Sequence, residues 1–115
     1  MEDECIFCKI AKHEIPAQIV YEDKDVVAFK DVNPVAPVHI LVIPKQHIPG
    51  VMSITDDNKE LVGKILLVIE QLAQETSIVE GGFRVVVNHG RRAGQSVFHL
   101  HFHLLGGRPM HWPPG

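Results

Sequence analysis

Apolar and polar positions change period several times along this chain, and each change marks an element. Residues 5–12 (CIFCKIAK) put Ile6, Phe7 and Ile10 on one side of a short helix or turn, and Pro16 ends that segment. Ile19–Glu22 and Val26–Lys30 read as strands around an Asp23-Lys24-Asp25 turn, which is a hairpin signal. Asn33-Pro34 and Ala36-Pro37 break the chain. His39–Ile43 is almost continuously apolar, as expected of a central strand, and Pro44 and Pro49-Gly50 bound the loop after it. Leu61, Ile65, Val68, Leu72 and Thr76 then recur at spacings of three and four, with Leu66, Ile69 and Ala73 widening the stripe. This predicts one long helix over 57–76, capped by Thr55 or Asp56 and lying on a sheet. Gly81-Gly82 opens a strand over Phe83–Asn88, and a last strand is expected over Phe98–Leu105. The pattern is α+β, a mainly antiparallel sheet with one long and one short helix, in a single domain over residues 1–115.

Composition narrows the function. The chain has 115 residues, is 45% hydrophobic and 22% charged, and carries a net charge of −3. That balance suits a globular domain and offers no broad basic surface for nucleic acid or an acidic membrane. The longest apolar run, Ile65–Ile69, falls far short of the roughly 18 residues that span a bilayer. The acidic opening MEDECIFCKI has no apolar signal core, so a cytoplasmic location is expected. There, Cys5 and Cys8 should be thiols or metal ligands rather than a structural disulfide. The unusual count is eight histidines. Histidine is both the side chain that titrates near neutrality and the commonest metal ligand.

Three of the eight alternate with apolar residues in His99-Leu100-His101-Phe102-His103-Leu104. On a strand such positions share one face at steps of roughly 6.8 Å, while Leu100, Phe102 and Leu104 point into the core. The three imidazoles could bind a metal, supply a nucleophile, or hold an anion. The preceding residues favour phosphate. Asn88, the glycines of the 90–94 loop, Gln95 and Ser96 supply an amide, flexible backbone N–H groups and a hydroxyl.

HLHFHLL fits the His-φ-His-φ-His-φ-φ signature of the histidine triad (HIT) superfamily. The segments AFKDVNPVAPVHILVIPKQHI, GQSVFHLHFHLLGG and HWPPG resemble its Hint branch of purine nucleoside phosphoramidases. The resemblance implies the HIT-like fold, with a five-stranded sheet continued across a homodimer. It implies that His101 is the nucleophile, forming a nucleotidyl-histidine on the α-phosphorus of a purine nucleoside 5′-phosphoramidate. His103 and Asn88 would contact phosphate oxygens, Ser96 would assist the leaving amine, and His39 and His99 would orient the site. Asp31 would hold the ribose. Ile6, Phe7, Ile10, Phe29, Val32 and Leu41 would line the purine pocket, with Gly94, Gln95 and Val97 completing the substrate site. No cofactor is needed for that chemistry.

Cys5-x-x-Cys8 has zinc-ligand spacing, although a single pair is a weak signal. In bacterial HIT proteins with this opening the pair joins two histidines, which by position are His47 and His99. The resemblance thus implies a structural zinc, set against the alternative of two buried thiols. It also implies that Trp112 reaches the partner's active site; a local hydrophobic plug is the other reading. His13 is expected at the surface, and Arg91-Arg92 as a solvated pair. His89 and His111 have no assigned role. Three other functions stay open: a dinucleoside polyphosphate hydrolase using the same nucleophile, a non-catalytic nucleotide-binding or interaction module, and a plain metalloprotein with metal-dependent turnover.

Overall fold

The computed structural model describes residues 4–115, so the first three residues of the acidic opening lie outside it. The elements are α1 (Ile6–Ala11), β1 (Ile19–Glu22), β2 (Val26–Lys30), β3 (Val38–Pro44), α2 (Lys59–Glu75), β4 (Phe83–Val86) and β5 (Phe102–Gly106). Short 3-10 turns occupy Val51–Ser53 and Arg91–Ala93. The five strands form one sheet in the order β1-β2-β3-β5-β4, and every neighbouring pair is antiparallel. The last strand is thus inserted between β3 and β4. Its apolar residues earn that central position, whereas β4 alternates exposed and half-buried residues as an edge strand does.

The sheet buries both faces because β2 and β3 are apolar at successive positions. Val26, Ala28, Ile40 and Val42 pack against α2 through Ile65, Val68, Ile69, Leu72 and Ala73. The alternate residues Val27, Phe29, Leu41 and Ile43 pack against Phe7, Cys8, Ile10 and Ala11 of α1. Leu100, Phe102 and Leu104 join the α2 side, as their alternation with histidine predicts.

Four details differ from the sequence reading. The long helix starts at Lys59 after a turn at residues 56–58, with Asn58 at its N-cap position rather than Thr55 or Asp56. Thr55 Oγ1 instead accepts the Asp57 N–H at 3.2 Å, within that turn. Leu66 does not widen the buried stripe but is exposed beside Leu67. The last strand begins at Phe102, not Phe98, so His99 and His101 precede it. The ladder ends there because Leu100 N–H turns away to the Ile48 carbonyl at 2.6 Å, beyond Pro44, which has no N–H to offer. The β4–β5 ladder runs from Phe83–Gly106 to Val86–His103, so β4 stops two residues earlier than expected.

Two glycines permit the turn after β5. A Cβ on Gly106 would lie 2.6 Å from Ile78 Cδ1. Gly107 has φ +91°, a left-handed conformation open to glycine.

Candidate functional site

On the α1 side of the sheet, α1, the β2 end and the segment before β5 enclose a hollow of about 340 Å³. Its apolar wall includes Ile6, Phe7, Ile10, Phe29 and Leu41, and its polar rim carries Asp31, Ser96, His101 and His103. Val32, at 90% exposure, and Val97 also border it. These eleven residues were all expected at the substrate, and the chain brings them together. Sequence reasoning missed Ile15, Pro16, Ala17, Lys30 and Asn33, which complete the wall. Their position at element ends flanking predicted pocket residues is the signal that was available.

The hydrogen bonds fix which nitrogen of each ring bears the proton. His101 Nδ1 lies 2.7 Å from the His99 carbonyl, which can only accept, so Nδ1 carries the hydrogen. In the neutral ring this leaves Nε2 as the lone-pair nitrogen. Val35 N–H donates to His39 Nδ1 at 3.1 Å, so in neutral His39 the hydrogen sits on Nε2. That nitrogen is 2.9 Å from His103 Nδ1 and 3.3 Å from Asp31 Oδ2. His103 Nδ1 therefore accepts, and its Nε2–H remains as a donor. The rings of His101 and His103 stand 5.1 Å apart, and Phe7 meets His101 edge-on at the same centroid distance.

Burial favours the neutral form of His39 and His103. It lowers the pKa of His39, with Asp31 pulling partly the other way. It pushes His103 down to about 4, assisted by positive charge on His101 or His39. With His39 neutral and its Nε2–H directed to His103, the 3.3 Å approach of Asp31 Oδ2 is a contact between a neutral ring and a carboxylate, not an ion pair. Asp31 Oδ1 also accepts the Asn33 N–H at 2.8 Å, which holds the carboxylate at the rim.

Other expected site residues lie elsewhere. His99 is fully buried and its ring faces away from the hollow. Nε2 donates to the Pro44 carbonyl at 2.7 Å, and Nδ1 lies 3.4 Å from Cys5 Sγ and 3.5 Å from Cys8 Sγ. Gln95 is a correction: its side-chain amide is 3% exposed, accepts Gly90 N–H, and donates to the Pro49 and Val97 carbonyls. It ties the loop down instead of facing a ligand. Gly94, at φ +99°, closes the 3-10 turn of that loop. Asn88 lines a neighbouring hollow with Arg84, Ala93, Arg108 and the tail. Trp112 is 82% exposed, which excludes the local plug. His13 is exposed as expected, with Nε2 at 2.8 Å from Glu22. His111 contributes its carbonyl to Arg84 Nη2 at 2.8 Å. Arg91 is not simply solvated, since its guanidinium lies 5.7 Å from the Phe98 ring centroid.

The second cluster is Cys5, Cys8, His47 and His99, whose ligand atoms all lie within 4.8 Å of one another. Cys5 caps α1 and Cys8 sits in its first turn, so one short helix aims both sulfurs at the same point. No disulfide joins them. His47 Nδ1 lies 3.2 Å from Cys8 Sγ. A tetrahedral zinc with ordinary bond lengths separates its nitrogen and sulfur ligands by about 3.6 Å, close to these spacings. The His99 Nε2–H bond to Pro44 also leaves Nδ1 with the lone pair that a metal requires. The residues fit zinc. Asp31, His39 and His103 also lie within one ligand span, but there the His39 Nε2 lone pair is occupied by its proton.

Among the described residues, no helix is long and apolar enough to cross a membrane. The HIT domain model matches residues 12–110. An uncharacterized HIT-like protein of Synechocystis is 51% identical over 115 residues, spanning all of both chains. The crystal structure of a HIT family hydrolase from Legionella pneumophila superposes with a TM-score of 0.96 at 51% identity, covering 97% of this chain and 100% of that one. A histidine triad protein from Clostridium difficile gives 0.90 at 49% identity, covering 94% of each chain. By family match, sequence and fold together, this chain belongs to the HIT domain family.

Proposed function

We propose that this HIT protein hydrolyses the P–N bond of purine nucleoside 5′-phosphoramidates, using His101 as a covalent nucleophile. One observation carries the reading: His101 Nδ1 is tied to a carbonyl at 2.7 Å in a hollow whose walls are apolar and whose rim is polar. The apolar wall suits a purine, and the Asp31 carboxylate suits the ribose hydroxyls. His103 Nε2–H donates to a phosphoryl oxygen.

The chemistry follows from the tautomers. The His101 Nε2 lone pair forms a bond to the α-phosphorus as the P–N bond to the amine breaks. The departing nitrogen takes a proton through the Ser96 hydroxyl. Substituted at Nε2 and still protonated at Nδ1, the His101 ring is now cationic, and the His99 carbonyl stabilises it. His103 donates to the phosphoryl oxygen where negative charge grows, a charge-stabilising contact. Water then attacks phosphorus and gives up one proton, which replaces the one delivered through Ser96; the His–P bond breaks, its electron pair returning to His101 Nε2, and nucleoside monophosphate leaves with the water oxygen. The net change is one P–N bond and one water exchanged for a P–O bond and an amine.

Cys5, Cys8, His47 and His99 would hold a structural zinc, which supplies a cross-link between α1, the β3 end and the segment before β5. The chain would pair with a second copy through edge strand β4 and the residue after it, where Phe83, Val85 and Val87 are exposed, and through Leu66 and Leu67 of α2. In such a homodimer the Trp112 tail would serve the partner's hollow. Two buried thiols suit the reducing cytoplasm.

The test is single-turnover mass spectrometry with adenosine 5′-phosphoramidate. A nucleotidyl adduct on His101, absent in His101→Ala, supports the reading. Wild-type turnover by a folded His101→Ala variant rejects it. A higher kcat/KM on a diadenosine polyphosphate would reassign the leaving group while keeping the nucleophile.

A further inference from the structure

The two clusters described above share a residue. His99 is the junction: its ring faces Cys5 and Cys8, while its carbonyl accepts His101 Nδ1–H at 2.7 Å. Phe7, one residue before Cys8, stands against both rings, with centroids 6.0 Å from His99 and 5.1 Å from His101. Neither His99 nor His101 lies in the strand ladder. This segment is tied to the end of β3 and the loop after it by Leu100 N–H to the Ile48 carbonyl at 2.6 Å and by the His99 side chain, whose Nε2–H donates to the Pro44 carbonyl at 2.7 Å. His47, the fourth member of the cysteine cluster, belongs to that same stretch, between Pro44 and Ile48.

From this geometry we infer that the Cys5–Cys8–His47–His99 cluster controls the nucleophile: Cys8 and His47 are positioning residues that act on His101 through His99. The inference rests on the nucleophilic reading of His101 but concerns a different contact. The His99 carbonyl selects the Nδ1–H tautomer of His101, and so leaves the Nε2 lone pair in place for attack. A shifted carbonyl releases that selection, and a neutral imidazole then divides between two tautomers, only one of which can attack through Nε2. A metal held by Cys5, Cys8, His47 and His99 would fix the ring of His99 beyond its Nε2–H bond to Pro44, and would so restrain its carbonyl. Without it, the segment before β5 is held by the Pro44 and Ile48 contacts and by packing. Control of this kind needs access from solvent, and the cluster has it. A hollow of about 290 Å³ is lined by Cys5 and His47 together with Glu4, Ile6, Phe98, Ser96 and Val97. The last two residues also border the nucleotide hollow. Catalysis therefore depends on metal supply, although no metal touches the substrate.

The test uses full-length protein labelled with nitrogen-15 histidine, either zinc-loaded, stripped with a chelator, or carrying Cys8→Ser and His47→Ala together. Zinc content, the His101 tautomer by nuclear magnetic resonance, AMP binding and the single-turnover rate are read on each. Zinc-loaded wild type should show the Nδ1–H form alone. The stripped protein and the double variant should show mixed tautomers and a rate lowered about 10-fold or more, the scale of lost outer-shell contacts. AMP affinity should stay within about twofold, because the purine wall is untouched. Adding zinc back should restore the stripped wild type and leave the double variant unchanged. A double variant that folds, lacks zinc and keeps both the single tautomer and the rate overturns the inference. So does a zinc-treated wild type that binds none, or a double variant that still holds one equivalent. If the double variant does not fold, stripping and reloading the wild type decides alone. If no phosphoramidate is turned over, the proposed function fails, and the tautomer signal still tests this inference.

Discussion

His39 Nε2 lies 2.9 Å from His103 Nδ1, across the β3–β5 ladder and one diagonal step from the directly opposed pair Leu41 and His103. The diagonal position is what lets two imidazoles meet edge to edge without either leaving its strand. Because Val35 N–H occupies the other nitrogen of His39, the proton between the rings belongs to His39, and His103 presents a donor to the hollow.

Replacing His39 should therefore act on the rate through His103. His39→Ala leaves the His103 proton free to move to Nδ1, and kcat should fall about tenfold or more while KM changes little. His39→Gln, whose amide can still donate, should recover part of the loss. Steady-state kinetics on adenosine 5′-phosphoramidate checks both. Equal losses in the two variants would assign His39 a packing role only.

Stability should fall on acidification, with a window set by His103. An unfolded histidine takes up its proton near 6.5, whereas folded His103 does so only at about 4. Between these values the unfolded chain binds more protons, so stability is full above about pH 6.5 and is lost as the pH drops towards 4. Comparing Tm against pH for wild type and His103→Asn isolates the effect. The variant curve should be flatter over that window, and parallel curves would show that His103 is not the group responsible.

Gly106→Ala should destabilise the protein by about 1–3 kcal/mol, the usual cost of an overpacked site. The added Cβ meets Ile78 Cδ1 at 2.6 Å. Trimming Ile78 to Val or Ala in the Gly106→Ala background should return part of the stability in urea denaturation. Additive losses would place the strain elsewhere.

Phe7→Ala should cost about 3–5 kcal/mol as a buried aromatic truncation and also weaken nucleotide binding. The ring packs on Phe29 at 5.5 Å and on His101 at 5.1 Å, so one deletion opens both the purine wall and the nucleophile's support. Phe7→Leu should keep most of the stability and less of the affinity. Thermal denaturation and AMP titration separate the two effects.

Much of this was legible in the sequence. β1 and β2 fall where the hairpin reading put them, and Leu100, Phe102 and Leu104 reach the core they were assigned. The eleven pocket residues converge because they lie on elements whose faces the periodicity revealed. What stayed hidden depends on contacts between distant segments. The order β1-β2-β3-β5-β4 follows from which strand tolerates an edge, a property of the assembled sheet. His99, His101 and His103 read as one strand face, yet the ladder begins only at Phe102, and the first ring turns to the cysteines. Gln95 looked like a ligand group because its burial against Pro49 depends on how the loop closes.

The alternation of residues 99–104 ties the chemistry to the core at single-bond range. Leu100, Phe102 and Leu104 fill the α2 side, and the three histidines leave the same backbone in the opposite sense. Any swelling or thinning of that packing is transmitted to the reacting nitrogens, so this stretch is poor ground for random diversification. Val32 and Ile6 border the same hollow from exposed positions that the core does not constrain. An engineer seeking a new nucleobase preference would randomise there and leave 99–104 as an inherited cassette.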